Sequence, residues 1–128
     1  MNIGIKGCAE TVVCEKNTAK SFGSGLVEVF ATPCMIGLME DAAQSSVAPF
    51  LEAGQGTVGT KLNVSHDSAT PIGMKVRAES ELIEIDGRRL VFRVAAYDEC
   101  GRIGQGEHER FIIKLDRFME KTLAKNSK

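Results

Sequence analysis

Between residues 32 and 54 the apolar positions of TPCMIGLMEDAAQSSVAPFLEAG recur at a helical period. At about 100° per residue, Met35, Ile36, Leu38, Met39, Ala42, Ala43, Val47, Phe50 and Leu51 spread over an arc of about 220°. An arc that wide suits a helix wrapped by a sheet rather than one lying on a surface. Thr32 reads as the N-cap, with a hydroxyl free to accept from a first-turn amide, and Pro33 as the first helical residue. Gly54 is the expected C-terminal stop, and Pro49 predicts a kink or tightening one turn earlier.

Beyond the helix the period changes to two. In 57–66 the alternation places Val58, Thr60, Leu62, Val64 and His66 on one face of a half-buried strand. A second strand spans 74–85, and its alternation slips at Leu82–Ile83, which predicts a bulge. Asp86-Gly87 reads as a hairpin turn into a strand over 89–97; a turn at 98–101 leads to the last strand, 102–115. The tail, 116–128, is polar, with room for a short helix. Ahead of the helix, 10–15 is a strand of modest alternation, and 17–31 is a loop centred on Gly23-Ser24-Gly25, either a lid over a pocket or a packed connection. The expected class is α+β, with four long antiparallel strands in a meander.

Composition narrows the partners. The chain has 128 residues, 43% of them hydrophobic and 26% charged, with a net charge of −1, which fits one domain over residues 1–128 with a real core. Neither nucleic acid nor a membrane is an expected partner: there is no basic excess and no apolar run near membrane-spanning length. The N-terminal residues lack the apolar core of a signal peptide, so the expected compartment is the cytoplasm. Cys8, Cys14, Cys34 and Cys100 form no CxxC pair and no zinc spacing, and read as reduced thiols that mostly fill the core. Cys34 lies in the first helical turn, where the dipole favours a thiolate, but no adjacent base accompanies it.

Candidate chemistry begins with Glu40, whose place on the wheel is inside the apolar arc beside Val47 and Leu51. A carboxylate there must find a partner, shift its pKa or reach water from the arc's edge. His66 ends a strand on the face of Leu62 and Val64, where an isolated histidine serves either as a satisfied core residue or as a catalyst. Thr32 and Glu40 stand eight residues apart on the helix, about 12 Å along its axis, with room for a strand histidine between them. A hydroxyl, a carboxylate and an imidazole near a helix N-terminus suit acyl transfer or hydrolysis. His108, on the face of Gly104, Gly106 and Arg110, reads as structural or exposed. Gly59 permits close approach to the strand backbone.

These segments resemble the hotdog fold of acyl-coenzyme A thioesterases, within it the fluoroacetyl-coenzyme A thioesterase family. The stretches that carry the resemblance are VEVFATPCMIGLMEDAA (27–43), GQGTVGTKLNVSHDSATPIG (54–73), EIDGRRLVFRVAAYDE (84–99) and IGQGEHERFIIKLDRF (103–118). The resemblance implies a long central helix wrapped by an antiparallel β-sheet, with Thr32, Glu40 and His66 as the catalytic set. Glu40 would act on the thioester carbonyl as nucleophile or through water. It further implies that the Gly59 amide holds the acyl group, that Arg110 stands near the site, and that two chains form a homodimer, or a tetramer of such dimers. No metal and no separate cofactor are implied, since coenzyme A is part of the substrate. The departure is at AKSFGSGLVE (19–28), which replaces a longer lid rich in proline and aromatics; Phe22 is the only aromatic before Phe30 and is the lid residue expected at the substrate. A small or medium acyl group is therefore the expected substrate. A non-catalytic acyl-CoA or small-ligand binding module on the same fold is the alternative. A dehydratase or hydratase ranks below both, because the helix carries no histidine.

Overall fold

The computed structural model describes residues 1–127. The central helix, α2 (Thr32–Val47), begins one residue earlier than the capping pattern predicts: Ala31, in extended backbone, is the N-cap, and Thr32 is already helical and makes no cap bond. Met35, Met39, Ala42, Ala43 and Val47 are fully buried and form its packed stripe. That stripe is narrower than the predicted arc, since Ile36 and Leu38 are half-buried and Phe50 is 54% exposed. At Ala48–Phe50 the chain tightens into a 3₁₀ turn. Pro49 has no amide for the next helical bond, so the α-helix ends at Val47, well short of Gly54.

The strands are β1 (Lys6–Val12), β2 (Gln55–His66), β3 (Lys75–Asp86), β4 (Arg89–Asp98) and β5 (Gly101–Lys114). They form one antiparallel sheet in the order β1-β3-β4-β5-β2, curled around α2 in the α+β hotdog arrangement. The meander holds for β3-β4-β5 but not for β2, which crosses to the far edge and pairs with β5. The edge of β3 that a four-strand meander would give to β2 is occupied by β1, from Lys6↔Glu81 to Val12↔Lys75. β1 also lies earlier in the chain than the pattern at 10–15 suggests. Its inward positions, Gly7, Ala9 and Thr11, are too small or polar to register as an apolar alternation.

Inward-facing Val76, Ala78, Leu82, Leu90, Phe92, Val94, Ala96 and Ile103 close over the α2 stripe as one core. The slip in β3 is a bulge between Leu82 and Glu84, as predicted. A second bulge, between Gly59 and Lys61 in β2, leaves Thr60 unpaired and inverts the phase of the strand. Thr57 and Gly59 therefore share the inner face with Leu62, Val64 and His66, and Val58 and Thr60 do not.

The 17–31 segment is a pinned excursion rather than an open loop. Short helix α1 (Ala19–Phe22) is capped by Thr18, and the base is held by Thr18↔Phe30 and Val29↔Pro71 bridges and by the Ala31 amide donating to the Asn17 carbonyl at 2.9 Å. Its tip is exposed, with Leu26 at 93%. The short tail helix is α3 (Leu115–Leu123); Lys128 lies outside the described residues.

Gly7 is where β1 touches α2. A Cβ there would collide with the Ala42 carbonyl oxygen and sit 2.7 Å from Ser46 Cβ and 2.8 Å from Ser80 Oγ. Because two backbones must separate to admit the methyl group, Gly7→Ala is expected to destabilise the fold by about 1–3 kcal/mol, read from the midpoint of urea unfolding. An unchanged midpoint would show that β1 is not seated against the helix as described.

Candidate active site

Two groups of polar side chains on α2 face side chains from the inner faces of β2 and β5. At the start of α2, Thr32 Oγ1 is 2.7 Å from His66 Nδ1. The hydroxyl that the sequence assigns to capping thus serves the histidine. His66 Nε2 is buried and without a hydrogen-bond partner among the described residues. Burial lowers the His66 pKa from its ordinary value, opposed by the Ser68 backbone and the Asp67 carboxylate.

The second group is built on Arg110, whose side chain is almost fully buried. Its Nε donates to Thr57 Oγ1 and its Nη2 to the Thr57 carbonyl, both at 2.9 Å. Nη1 lies 3.1 Å from His108 Nε2 and 3.6 Å from Glu40 Oε2. His108 Nδ1 lies 2.9 Å from the Lys61 carbonyl, which can only accept. The proton therefore sits on Nδ1, and the neutral ring offers Nε2 as an acceptor to the guanidinium. Burial lowers the His108 pKa, with the adjacent Arg110 charge acting in the same direction. Burial also lowers that of Arg110, with Glu40 opposing.

Glu40 is at the edge of the packed stripe, its side chain 40% exposed and directed to Arg110. A Cβ on Gly59 would sit 2.6 Å from Glu40 Oε2, 3.1 Å from His108 Cε1 and 3.3 Å from Arg110 Nη1. Only glycine leaves that space open.

Of the six predicted site residues, Thr32 and His66 meet directly, and Glu40, Gly59 and Arg110 meet each other. The two groups are held about 12 Å apart by the helix that carries Thr32 and Glu40. Phe22 joins neither; it is 56% exposed at the end of α1. His108 is structural rather than exposed, the first of the two readings its sequence allowed: it is fully buried and contacts Arg110 in the group around Glu40. Its shared parity with Arg110 on β5 was the available signal. The cysteines do not fill the core as expected, since Cys8, Cys14 and Cys100 are exposed and only Cys34 is half-buried. Cys34 departs from the helix-dipole expectation: burial raises its pKa, and Cys14 adds to the effect. Among the described residues no group of three His, Cys, Asp or Glu side chains is placed to hold a metal ion.

The pattern of the fluoroacetyl-CoA-specific thioesterase family matches residues 13–116. The fluoroacetyl-CoA thioesterase of Streptantibioticus cattleyicolor is 48% identical over 98 residues, 77% of this chain and 70% of that protein. The crystal structure of the fluoroacetyl-CoA thioesterase FlK superposes with a TM-score of 0.92 at 40% identity, covering 98% of this chain and 97% of that one. A thioesterase superfamily member from Thermus thermophilus superposes at 0.90 with 30% identity, over 98% and 93% of the two chains.

Because both histidines have lowered pKa values, the folded state binds fewer protons than the unfolded chain just below the ordinary value of 6.5. Stability is complete above that pH and falls as the pH drops from it toward the lowered folded values. Urea midpoints measured between about pH 7.5 and pH 5 are expected to decline, and His108→Gln to flatten the decline relative to its own value at neutral pH. An equally steep decline in the variant would remove His108 from the explanation.

Proposed function

The chain belongs to the fluoroacetyl-CoA-specific thioesterase family, and from that membership we propose that it hydrolyses a small or medium acyl-CoA thioester to the free acid and coenzyme A. The observation that carries the reading is Glu40. Its carboxylate stands half-exposed on the central helix, beside a buried guanidinium and across an opening that only a glycine permits. A thioester carbonyl entering over Gly59 reaches that carboxylate. Glu40 then either attacks the carbonyl carbon, forming a mixed anhydride as the C–S bond breaks and the coenzyme A thiolate leaves, with water then cleaving the anhydride to the free acid and restoring Glu40, or takes a proton from a water that attacks in its place. Arg110 holds the carboxylate in position, and the Gly59 amide holds the acyl group.

Thr32 and His66 complete the catalytic set in this reading across the dimer interface, meeting a Glu40 of the other chain, because within one chain the helix holds the two groups about 12 Å apart. The direction of the Thr32–His66 bond decides what Nε2 does. Donation by the hydroxyl leaves Nε2–H free to polarise the carbonyl or protonate the departing thiolate, and donation by Nδ1 leaves Nε2 as a base.

A homodimer is part of the proposal. β2 is a 12-residue edge strand bonded only to β5 among the described residues, and an edge of that length invites pairing with its copy. The two helices then lie side by side under a continuous sheet, with the pockets between the chains. Whether such dimers pair into tetramers is read from the mass in solution. Among the described residues no helix is long and apolar enough to cross a membrane. The four free thiols suit the cytoplasm, the compartment we assign. The proposal does not extend to the fluorinated acyl group, because of the two aromatics in the 17–31 segment Phe30 is buried in the core and only Phe22, at the end of α1, is exposed.

Thiol release from a panel of acyl-CoAs, acetyl and fluoroacetyl through long chains, tests the reading. Turnover of at least one is expected, with Glu40→Gln lowering kcat by about 10²–10⁴-fold. Full activity in that variant would remove Glu40 from the chemistry. Tight binding of acyl-CoA by the folded protein without thiol release would replace the hydrolase with a binding module.

A further inference from the structure

We propose that a cationic groove at the end of β5 binds the phosphates of the substrate's adenosine 3′,5′-bisphosphate portion. The inference rests on the acyl-CoA reading and gives that substrate its second point of attachment. The groove has a volume of about 410 Å³ and is lined by Arg88, Ile113, Lys114, Arg117, Phe118 and Lys121. Three separate elements supply it. Arg88 comes from the β3–β4 turn, where its carbonyl accepts from the Ile112 amide at 2.8 Å and so draws the turn against β5. Lys114 ends β5, and Arg117 and Lys121 stand one turn apart on α3, whose start is tied down by the Leu115 amide donating to the Gly54 carbonyl at 2.9 Å.

The charge pattern favours an anionic ligand. Of the five arginines outside the groove, Arg77, Arg89, Arg93 and Arg110 each have a carboxylate within 4.0 Å, and among the described residues Arg102 does not. Among the described residues none of the four groove cations forms such a pair, and no carboxylate lines the groove. Arg117 and Lys121 are a like-charged pair at i,i+4, an arrangement that weakens a helix. The nearest acidic residues in sequence, Asp116 and Glu120, are turned about 100° away around α3. The unneutralised cations converge on one concavity.

The ligand they fit is polyanionic with a flat apolar part. Guanidinium and ammonium groups bind phosphate oxygens through charge-assisted bonds. Phe118, 38% exposed beside Ile113, gives an aromatic face on which a nucleobase can stack. Lys114 lies four residues along β5 from Arg110, about 14 Å, a span that the extended pantetheine arm between thioester and nucleotide can bridge. An anionic membrane fits less well. It would need the cations to fringe a flat apolar face, whereas Leu115, Met119 and Leu123 occupy the opposite flank of α3.

Arg117 and Lys121 are exposed, so Arg117→Ala/Lys121→Ala is expected to fold normally. In steady-state kinetics, one acyl group is presented as its CoA thioester and as its pantetheine thioester. The ratio of kcat/KM for the two is expected to fall at least about tenfold in the double variant, through KM of the CoA thioester. An unchanged ratio would overturn the groove. Should the wild type cleave neither thioester, the hydrolase reading fails separately, and calorimetry with adenosine 3′,5′-bisphosphate then decides the groove. Binding by the wild type that the double variant loses supports it. No binding by the wild type, or equal binding by both, overturns it.

Discussion

A buried guanidinium cannot be deprotonated to escape the cost of losing water, which amounts to several kcal/mol unless its donors are satisfied. Arg110 is in that position, and much of the surrounding architecture follows from serving it. Thr57 presents both its hydroxyl and its carbonyl to the guanidinium. It faces inward because Thr60 drops out of the β2–β5 ladder and inverts the strand's phase. The carbonyl of Lys61, at the same bulge, fixes the His108 tautomer that lets the ring accept from Arg110. Glu40 supplies the countercharge, and Gly59 keeps the gap between them clear. One cation thus links the helix, an irregularity of the edge strand and the inner face of β5.

Features set by local chemistry were legible in the chain. The apolar period located α2, Pro49 marked its tightening, and the slip at Leu82–Ile83 announced the bulge in β3. The hairpins at residues 87 and 99 followed from turn residues flanked by alternating strands. Non-local features were not legible. Nothing in β2 states that its partner is β5, because the strand it would otherwise join is occupied by a β1 whose small inward residues leave no hydrophobic trace. The β2 bulge stayed hidden for a related reason: Gly59 has no side chain to reveal its face and threonine suits either, so Val58 and Thr60 took the inner positions that belong to Thr57 and Gly59.

The site was legible in part, and the divisions are physical. Glu40 stood out because a carboxylate in an apolar arc conflicts with its surroundings, and Arg110 resolves the conflict. Thr32 was misread as a cap because a cap and a first-turn hydroxyl have the same sequence signature, and only the position of His66 separates them. His108 was legible as a structural residue, but an alternating pattern gives the face a residue occupies and not the Arg110 guanidinium that awaits it there. Cys34 was assigned a dipole effect when burial dominates and acts in the opposite direction.

The packed stripe of α2 explains why the helix looked wrapped on more sides than the sheet covers. Met35, Met39, Ala42, Ala43 and Val47 account for the half turned to the sheet, while Ile36 and Leu38 remain partly open and Glu40 lies at the margin. The open side of the helix and the unpaired edge of β2 are the two surfaces that the proposed dimer would cover. A carboxylate and a guanidinium interact more strongly as water is removed around them, and a developing oxyanion gains in the same way. On this argument the apolar residues beyond the packed stripe are there for enclosure. They give a second chain something to bury against, and that burial would seal the chemistry around Glu40 from bulk solvent.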